Sequence, residues 1–206
     1  SSRIEGEHVM LRKILIGLAA LVLIGGAGLW LWTEQTKADD LKLGDMAPDF
    51  TAPGALDGKR FTFALKDALA KGPVVLYFFP KVFTEGCTLE TRAFAEATPQ
   101  FEAMGASIVG MSADDIGGIS RFSAAECRDK FPLASASPDI IADYGVAMAP
   151  GAPMTDRTSF VIAPDGRIAH IHSALDYKLH VSETLAAVRE LTEDEKVSSL
   201  PDPGAS

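Results

Sequence analysis

Residues 74–79 read Val-Val-Leu-Tyr-Phe-Phe, an apolar run without alternation, bounded by Gly72 and Pro80. β-Branched and aromatic residues with no polar position every second place describe a strand buried on both faces. Such a strand needs a layer of structure on each side of its sheet. The surrounding chain supplies the layers. Short strands are predicted around 49–52 and 60–63, with a helical stretch near 64–70. A helix follows from about Cys87 to Met104, with Leu89, Phe94, Phe101 and Met104 on its apolar side. ASIVGMS at 106–112 is a second buried strand, followed by a helix near 116–127, FPLASA as a short strand and PDIIADYG as a short helix. TSFVIA and RIAHIHS flank a Pro-Asp-Gly turn and predict a hairpin. HVSETLAAVREL, 180–191, is a final amphipathic helix. Strands alternating with helices predict an α/β sheet with helices on both faces. The closing hairpin makes that sheet mixed rather than all parallel.

The first residues belong to a different class. SSRIEGEHV, residues 1–9, is expected to be a remnant of an expression tag, with the native chain starting at Met10. Residues 14–32 then form an uncharged run, ILIGLAALVLIGGAGLWLW. At about 1.5 Å per residue a helix of this run matches the ~30 Å of a bilayer core. Arg12 and Lys13 mark its cytoplasmic end, and Trp30 and Trp32 suit the opposite interface. Residues 10–37 are therefore expected to be a membrane anchor, one N-terminal transmembrane helix. A cleaved signal peptide is the competing reading, with TKA at 36–38 as its cleavage site. Either way the remainder of the chain is expected in the periplasm of a Gram-negative bacterium, tethered to the inner membrane or released into the periplasm. The folded domain is expected over 38–193, and 194–206, polar with two prolines, as a flexible tail.

Composition narrows the function classes. The formal net charge of −9, without a basic stripe, excludes nucleic acid as an expected partner. The two cysteines cannot make a disulfide framework and form no C-x-x-C pair, so no structural zinc is expected. His170 and His172 alternate on a predicted strand and share a face, but no third ligand accompanies them. Glycines are scattered without a phosphate-binding pattern. No metal or cofactor is expected.

Cys87 sits where the chain leaves the buried strand and opens a helix. A helix start presents free backbone N–H groups and partial positive charge, which favour an anion. A cysteine in such a first turn is pushed towards thiolate, its nucleophilic form. Thr84, three residues upstream, brings a hydroxyl to the same pocket. Pro80 ends the strand, offers no N–H and shields the pocket from water. The competing reading is a buried cysteine packed as a small hydrophobe.

FFPKVFTEGCTLE resembles the peroxiredoxin signature P-x-x-x-T-x-x-C, here Pro80, Thr84 and Cys87. GCTLE is similar to the G-C-T-x-E of the bacterioferritin-comigratory-protein, or PrxQ-like, branch. LGDMAPDFTAPGALDGKRFTF, GASIVGMSADD and RTSFVIAPDGRI resemble further segments of the family, so the likeness covers about residues 43–192. The resemblance implies a thioredoxin-like fold and thiol-dependent reduction of hydrogen peroxide and organic hydroperoxides. It implies Cys87 as the peroxidatic cysteine, becoming sulfenic acid. Thr84 would hydrogen-bond the peroxide, Pro80 would close the pocket, and Arg157 would stabilise thiolate and developing oxygen charge. Glu90 matches the branch glutamate, in a supporting structural role. A thioredoxin-like protein would supply electrons.

The chain departs from the branch in two places beside the thiol. Glu85 stands where proline is usual, and Val82 replaces a common aspartate. Both bear on peroxide preference and rate rather than on the reaction class. Part of the branch carries a second cysteine five residues after the first, where this chain has Arg92. Another part carries it on the next helix, where Cys127 falls, though near that helix's end. Cys127 is therefore the expected resolving cysteine, forming an intramolecular disulfide with Cys87. Two other functions compete. An anchored thiol–disulfide exchange protein would need W-C-x-x-C, but Glu90 occupies the second cysteine position. A redox sensor without turnover would share the fold and consume no peroxide.

Overall fold

In the computed structural model, which describes residues 41–198, the Val74–Phe78 run is a strand deep in a seven-stranded sheet. In chain order the elements are β1 (Thr51–Leu56), β2 (Lys59–Ala64), α1 (Leu65–Leu69), β3 (Val74–Phe78), α2 (Glu85–Ala103) and β4 (Ser107–Ser112). Then come α3 (Ile116–Phe122), a wide π-type turn (Ser123–Cys127), β5 (Leu133–Ser135), α4 (Pro138–Asp143), β6 (Thr158–Ile162) and β7 (Ile168–Ser173). A 3₁₀ turn (Tyr177–Leu179) leads into α5 (His180–Ser198). The strand order is β2-β1-β5-β4-β3-β6-β7. β3 pairs parallel with β4 and antiparallel with β6, so the sheet is mixed.

The absence of alternation in β3 now has its physical reason. Val75, Tyr77 and Phe79 point into one apolar layer, with Phe94 and Phe101 of α2, Ile119 and Phe122 of α3 and Val188 of α5. Val74, Leu76 and Phe78 point into the other, with Leu65 of α1 and Ile140 and Ile141 of α4. All six run residues are fully buried. Burying a side chain of this size stabilises the fold by about 1.5–3 kcal/mol. An outward-facing polar residue in β3 would therefore have no solvent to face.

The closing hairpin is present. Gly166 N–H donates to the Ala163 carbonyl at 2.8 Å with a φ of +88°, a conformation that suits glycine. Three boundaries differ from expectation. The first strand runs 51–56 rather than 49–52, because its register with β2 begins at Thr51 opposite Ala64. The helix expected over 116–127 ends at Phe122 and widens into the π-type turn. There Ser123 Oγ donates to the Ala55 carbonyl at 3.1 Å, pinning the turn to β1. The last helix runs to Ser198, past its expected end at 191. No helix among the described residues is long and apolar enough to cross a membrane. The expected tag remnant, the anchor at 10–37 and the end of the tail lie outside the described residues.

Candidate active site

The chain leaves β3 at Pro80 and re-enters regular structure at Glu85, so the intervening loop decides what the first turn of α2 faces. Two contacts fix the loop. Phe79 is held on both sides: its N–H donates to the Met111 carbonyl at 2.9 Å, and its carbonyl accepts from Thr155 Oγ1 at 2.7 Å. Val82 N–H donates to Asp114 Oδ2 at 2.9 Å, and the same oxygen accepts from Ser112 Oγ at 2.8 Å. Asp114 thus ties the loop after β3 to the loop after β4. Pro80 is half-buried at the head of this loop.

Cys87 is the third residue of α2 and is 1 % exposed. Thr84 takes the N-cap position with extended backbone but does not cap the helix with its side chain. Its Oγ1 instead donates to the Lys81 carbonyl at 3.0 Å. That commits the hydroxyl proton and leaves the oxygen free to accept a hydrogen bond, such as one from a hydroperoxide O–H. Thr84 is exposed, so this oxygen faces the approach to the helix start.

Arg157 lies one residue before β6 and is buried beneath α2. Its three nitrogens are all engaged. Nε donates to the Leu175 carbonyl at 2.9 Å, Nη1 donates to Glu90 Oε2, and Nη2 lies 3.5 Å from Cys87 Sγ. Burial opposes the Arg157 charge, but Glu90 and Cys87 outweigh it and hold the proton more tightly than usual. Glu90 is fully buried, and desolvation pushes its carboxyl up to about 8, with Arg157 pulling part of the way back. The sequence-predicted Cys87, Thr84 and Arg157 thus meet at one helix start, with Pro80 at the head of the loop that leads to it. Glu90 joins them as the anchor of the guanidinium.

Three residues of this neighbourhood were not singled out for chemistry from the sequence. His180, fully buried at the start of α5, has Nδ1 3.8 Å from Glu90 Oε1, an oxygen without a hydrogen-bond partner. Its Nε2 lies 2.8 Å from the Ala174 carbonyl, which only accepts, so Nε2 carries the proton and Nδ1 accepts from Ser159 Oγ. Burial pushes the imidazole down to about 4, so it is neutral at pH 7. Tyr77 is the second. Its hydroxyl pairs with Thr91 Oγ1 at 3.1 Å, and burial, then charge on Cys127 and Glu90, raises its phenol well above the usual range. Gly110 of β4 makes room for that ring, since a Cβ there would come within 2.6 Å of the Tyr77 hydroxyl. Asp114 is the third. The one available signal was its position in GASIVGMSADD, at the end of a buried strand.

Cys127 ends the π-type turn, 1 % exposed, and both cysteines are free thiols. Burial, with Glu126 beside it, pushes the Cys127 thiol well above its usual range. The arrangement around Cys87 suits nucleophilic attack by sulfur, with a fixed cation and helix-start N–H groups at the place where negative charge moves.

Comparison with known proteins agrees with this chemistry. The family model described as the AhpC/TSA family matches residues 43–171. The crystal structure of peroxidoxin BcpB from Mycobacterium tuberculosis is similar, with a TM-score of 0.67 and 31 % identity, covering 73 % of this chain and 98 % of that one. The chloroplastic peroxiredoxin Q of Triticum aestivum is 31 % identical over 150 residues, 72 % of this chain and 67 % of the relative. The chloroplastic 2-cysteine peroxiredoxin of Chattonella marina var. antiqua is 30 % identical over 159 residues, 73 % of this chain and 80 % of that protein. The mixed sheet flanked by helices is the thioredoxin-like fold that the sequence resemblance implied.

Proposed function

The chain belongs to the AhpC/TSA family and is a thiol-dependent peroxidase, and we propose that Cys87 is its peroxidatic cysteine and Cys127 its resolving one. The observation that carries the first assignment is the Arg157 guanidinium, 3.5 Å from Cys87 Sγ at the start of α2. The thiolate attacks the distal oxygen of a hydroperoxide. The S–O bond forms as the O–O bond breaks, and the leaving alkoxide or hydroxide takes up a proton. Arg157 lies where it can hold the negative charge as it passes from sulfur to oxygen. Thr84 Oγ1 accepts the hydroperoxide O–H and orients it, and Pro80 covers the pocket. The product is Cys87 sulfenic acid.

In the second half of the cycle Cys127 attacks the sulfenic sulfur, giving a Cys87–Cys127 disulfide and water. A thioredoxin-like protein then reduces the disulfide. Its support is the pairing of two thiols in one chain with a family whose members regenerate sulfur by exchange. The segment 14–32 serves as an anchor that holds this domain on the periplasmic side of the inner membrane, supported by its length and its Arg12–Lys13 flank.

The deciding experiment is peroxide consumption by Cys87→Ser, with the fold followed by circular dichroism. The expected result is a folded protein with no turnover. A folded variant that consumes peroxide at the wild-type rate rejects the assignment of Cys87.

A further inference from the structure

Arg92 stands five residues after Cys87 on α2, on the side that meets the π-type turn. Its Nε lies 2.6 Å from Oε2 of Glu126, the residue immediately before Cys127. Glu126 is largely covered, its side chain 11 % exposed, whereas Arg92 is 58 % exposed. The carboxylate is therefore held inside the fold by a cation that water and salt can reach.

The turn that this pair closes is under tension. Its last bond runs from Arg128 N–H to the Ser123 carbonyl at 2.7 Å, one residue wider than an α-helical bond. Arg128 itself has φ +53° and ψ −125°, a backbone state that residues with a side chain rarely adopt. Such a state persists only where neighbours impose it. Two tethers bind the turn to the β1 side: Ser123 Oγ to the Ala55 carbonyl at 3.1 Å, and Asp57 N–H to the Arg128 carbonyl at 2.9 Å. The Arg92–Glu126 pair is the tether on the side of α2. Beside it lies a cavity of about 450 Å³ lined by Arg92, Ala95, Glu96, Glu126, Cys127 and Arg128. The turn thus has open space next to it.

We propose that the Arg92–Glu126 ion pair is a latch that keeps the Cys127 turn folded and its thiol buried, and that release of the latch limits the rate of disulfide formation. The proposal rests on the reading of Cys127 as the resolving thiol. Arg92 and Glu126 act as positioning residues, touching neither peroxide nor sulfur. The step they gate balances without a further reagent. Cys127 loses its thiol proton, its sulfur attacks the Cys87 sulfenic sulfur, the S–S bond forms and the S–O bond breaks. The departing hydroxide takes the proton and leaves as water. While the latch is closed, Cys87 sulfenic acid waits and is exposed to a second peroxide, which oxidises it to sulfinic acid.

The test uses the full chain with hydrogen peroxide, quenched at intervals with a thiol alkylating agent and a sulfenic-acid trap, and read by mass spectrometry. Glu126→Gln and Arg92→Gln are expected to form the Cys87–Cys127 disulfide about two- to fivefold faster than wild type, the range of a partly exposed ion pair. Glu126→Gln is expected to be the faster of the two, because it also removes a negative charge beside the thiol. Both should accumulate less sulfinic acid at high peroxide, with an unchanged rate of sulfenic-acid formation. Raising the ionic strength to about 1 M should speed resolution in wild type and not in the variants. The swapped pair, Arg92→Glu with Glu126→Arg, should restore the slow, salt-sensitive rate. A merely structural contact would lower thermal stability without this salt dependence or the rescue. Equal or slower disulfide formation in both single variants rejects the latch and leaves the two-cysteine cycle standing. Absence of the Cys87–Cys127 disulfide from oxidised wild type rejects that cycle, and the latch with it.

Discussion

One guanidinium bridges two buried side chains: Arg157 Nη2 lies 3.5 Å from Cys87 Sγ while Nη1 donates to Oε2 of Glu90. The third nitrogen, Nε, is fixed on the Leu175 carbonyl, so the fork has no rotational freedom left. Glu90 aims the cation, and in the proposed reaction the cation would meet the charge that sulfur passes to oxygen.

Arg157→Ala is expected to lower the peroxide rate constant by about 10²–10³-fold, the usual cost of losing one pre-organised donor. Alkylation of Cys87 near neutral pH should slow in parallel. Arg157→Lys should recover little, because a single ammonium cannot span the carboxylate, the carbonyl and the sulfur. Wild-type alkylation together with wild-type turnover in Arg157→Ala would reduce this residue to a structural role.

Burial of Glu90 implies a pH dependence whose sign can be worked out. Its folded-state value of about 8 lies above the roughly 4.3 of an unfolded glutamate. The folded protein therefore holds this proton more tightly. The resulting stability is complete below about pH 4.3 and is lost as pH rises through about 8. Glu90→Gln should remove that loss, so the wild-type urea midpoint should fall relative to the variant's between pH 5 and pH 9. An unchanged difference between the two proteins from pH 5 to pH 9 would contradict the assignment.

His180 acts in the opposite direction. Its value of about 4 lies below the roughly 6.5 of an unfolded histidine. Its contribution is complete above about pH 6.5 and is lost as pH falls through about 4. An NMR titration should show the His180 ring neutral at pH 5.5, with the proton on Nε2. A midpoint near 6.5 would sink the prediction.

Cys127 should resist alkylation in the reduced, folded protein at pH 8, because burial and Glu126 raise its thiol. One equivalent of peroxide followed by denaturing alkylation should leave neither cysteine labelled, with a loss of two hydrogens in the mass. Sulfenic acid persisting on Cys87 beside an alkylatable Cys127 would instead describe a one-cysteine cycle.

Membrane fractionation checks the anchor. The full native chain should stay with the membrane after an alkaline wash, and a protease added to spheroplasts should remove the domain. A mature N-terminus at Asp39 would show a cleaved signal peptide.

Much of this is legible in the sequence alone. The unalternating run at 74–79 announced a two-faced sheet, and Cys87 announced a helix start, because both signals are local. Arg157 was legible through family resemblance rather than spacing, since it reaches Cys87 across 70 residues. The His180–Glu90 approach left no local trace, because it depends on α5 packing beside α2. The π-type turn was missed for a similar reason. Residues 123–127, SAAEC, are ordinary helix residues, and the Ser123 bond that pins the turn to β1 joins residues far apart in sequence. The last helix was read too short because its polar end carries no apolar stripe.

The 70-residue reach of Arg157 also has a consequence for how the chain acquires its chemistry. The arginine is delivered to Cys87 by β6, whose partner is β3, so the site exists only once that long-range strand pairing has closed. Contacts of such sequence separation form slowly relative to local helices. A chain still emerging from the ribosome has Cys87 without its cation, and so carries a thiol that meets peroxide unassisted. On the reading of Cys87 as the nucleophile, its full reactivity therefore waits for completion of the fold.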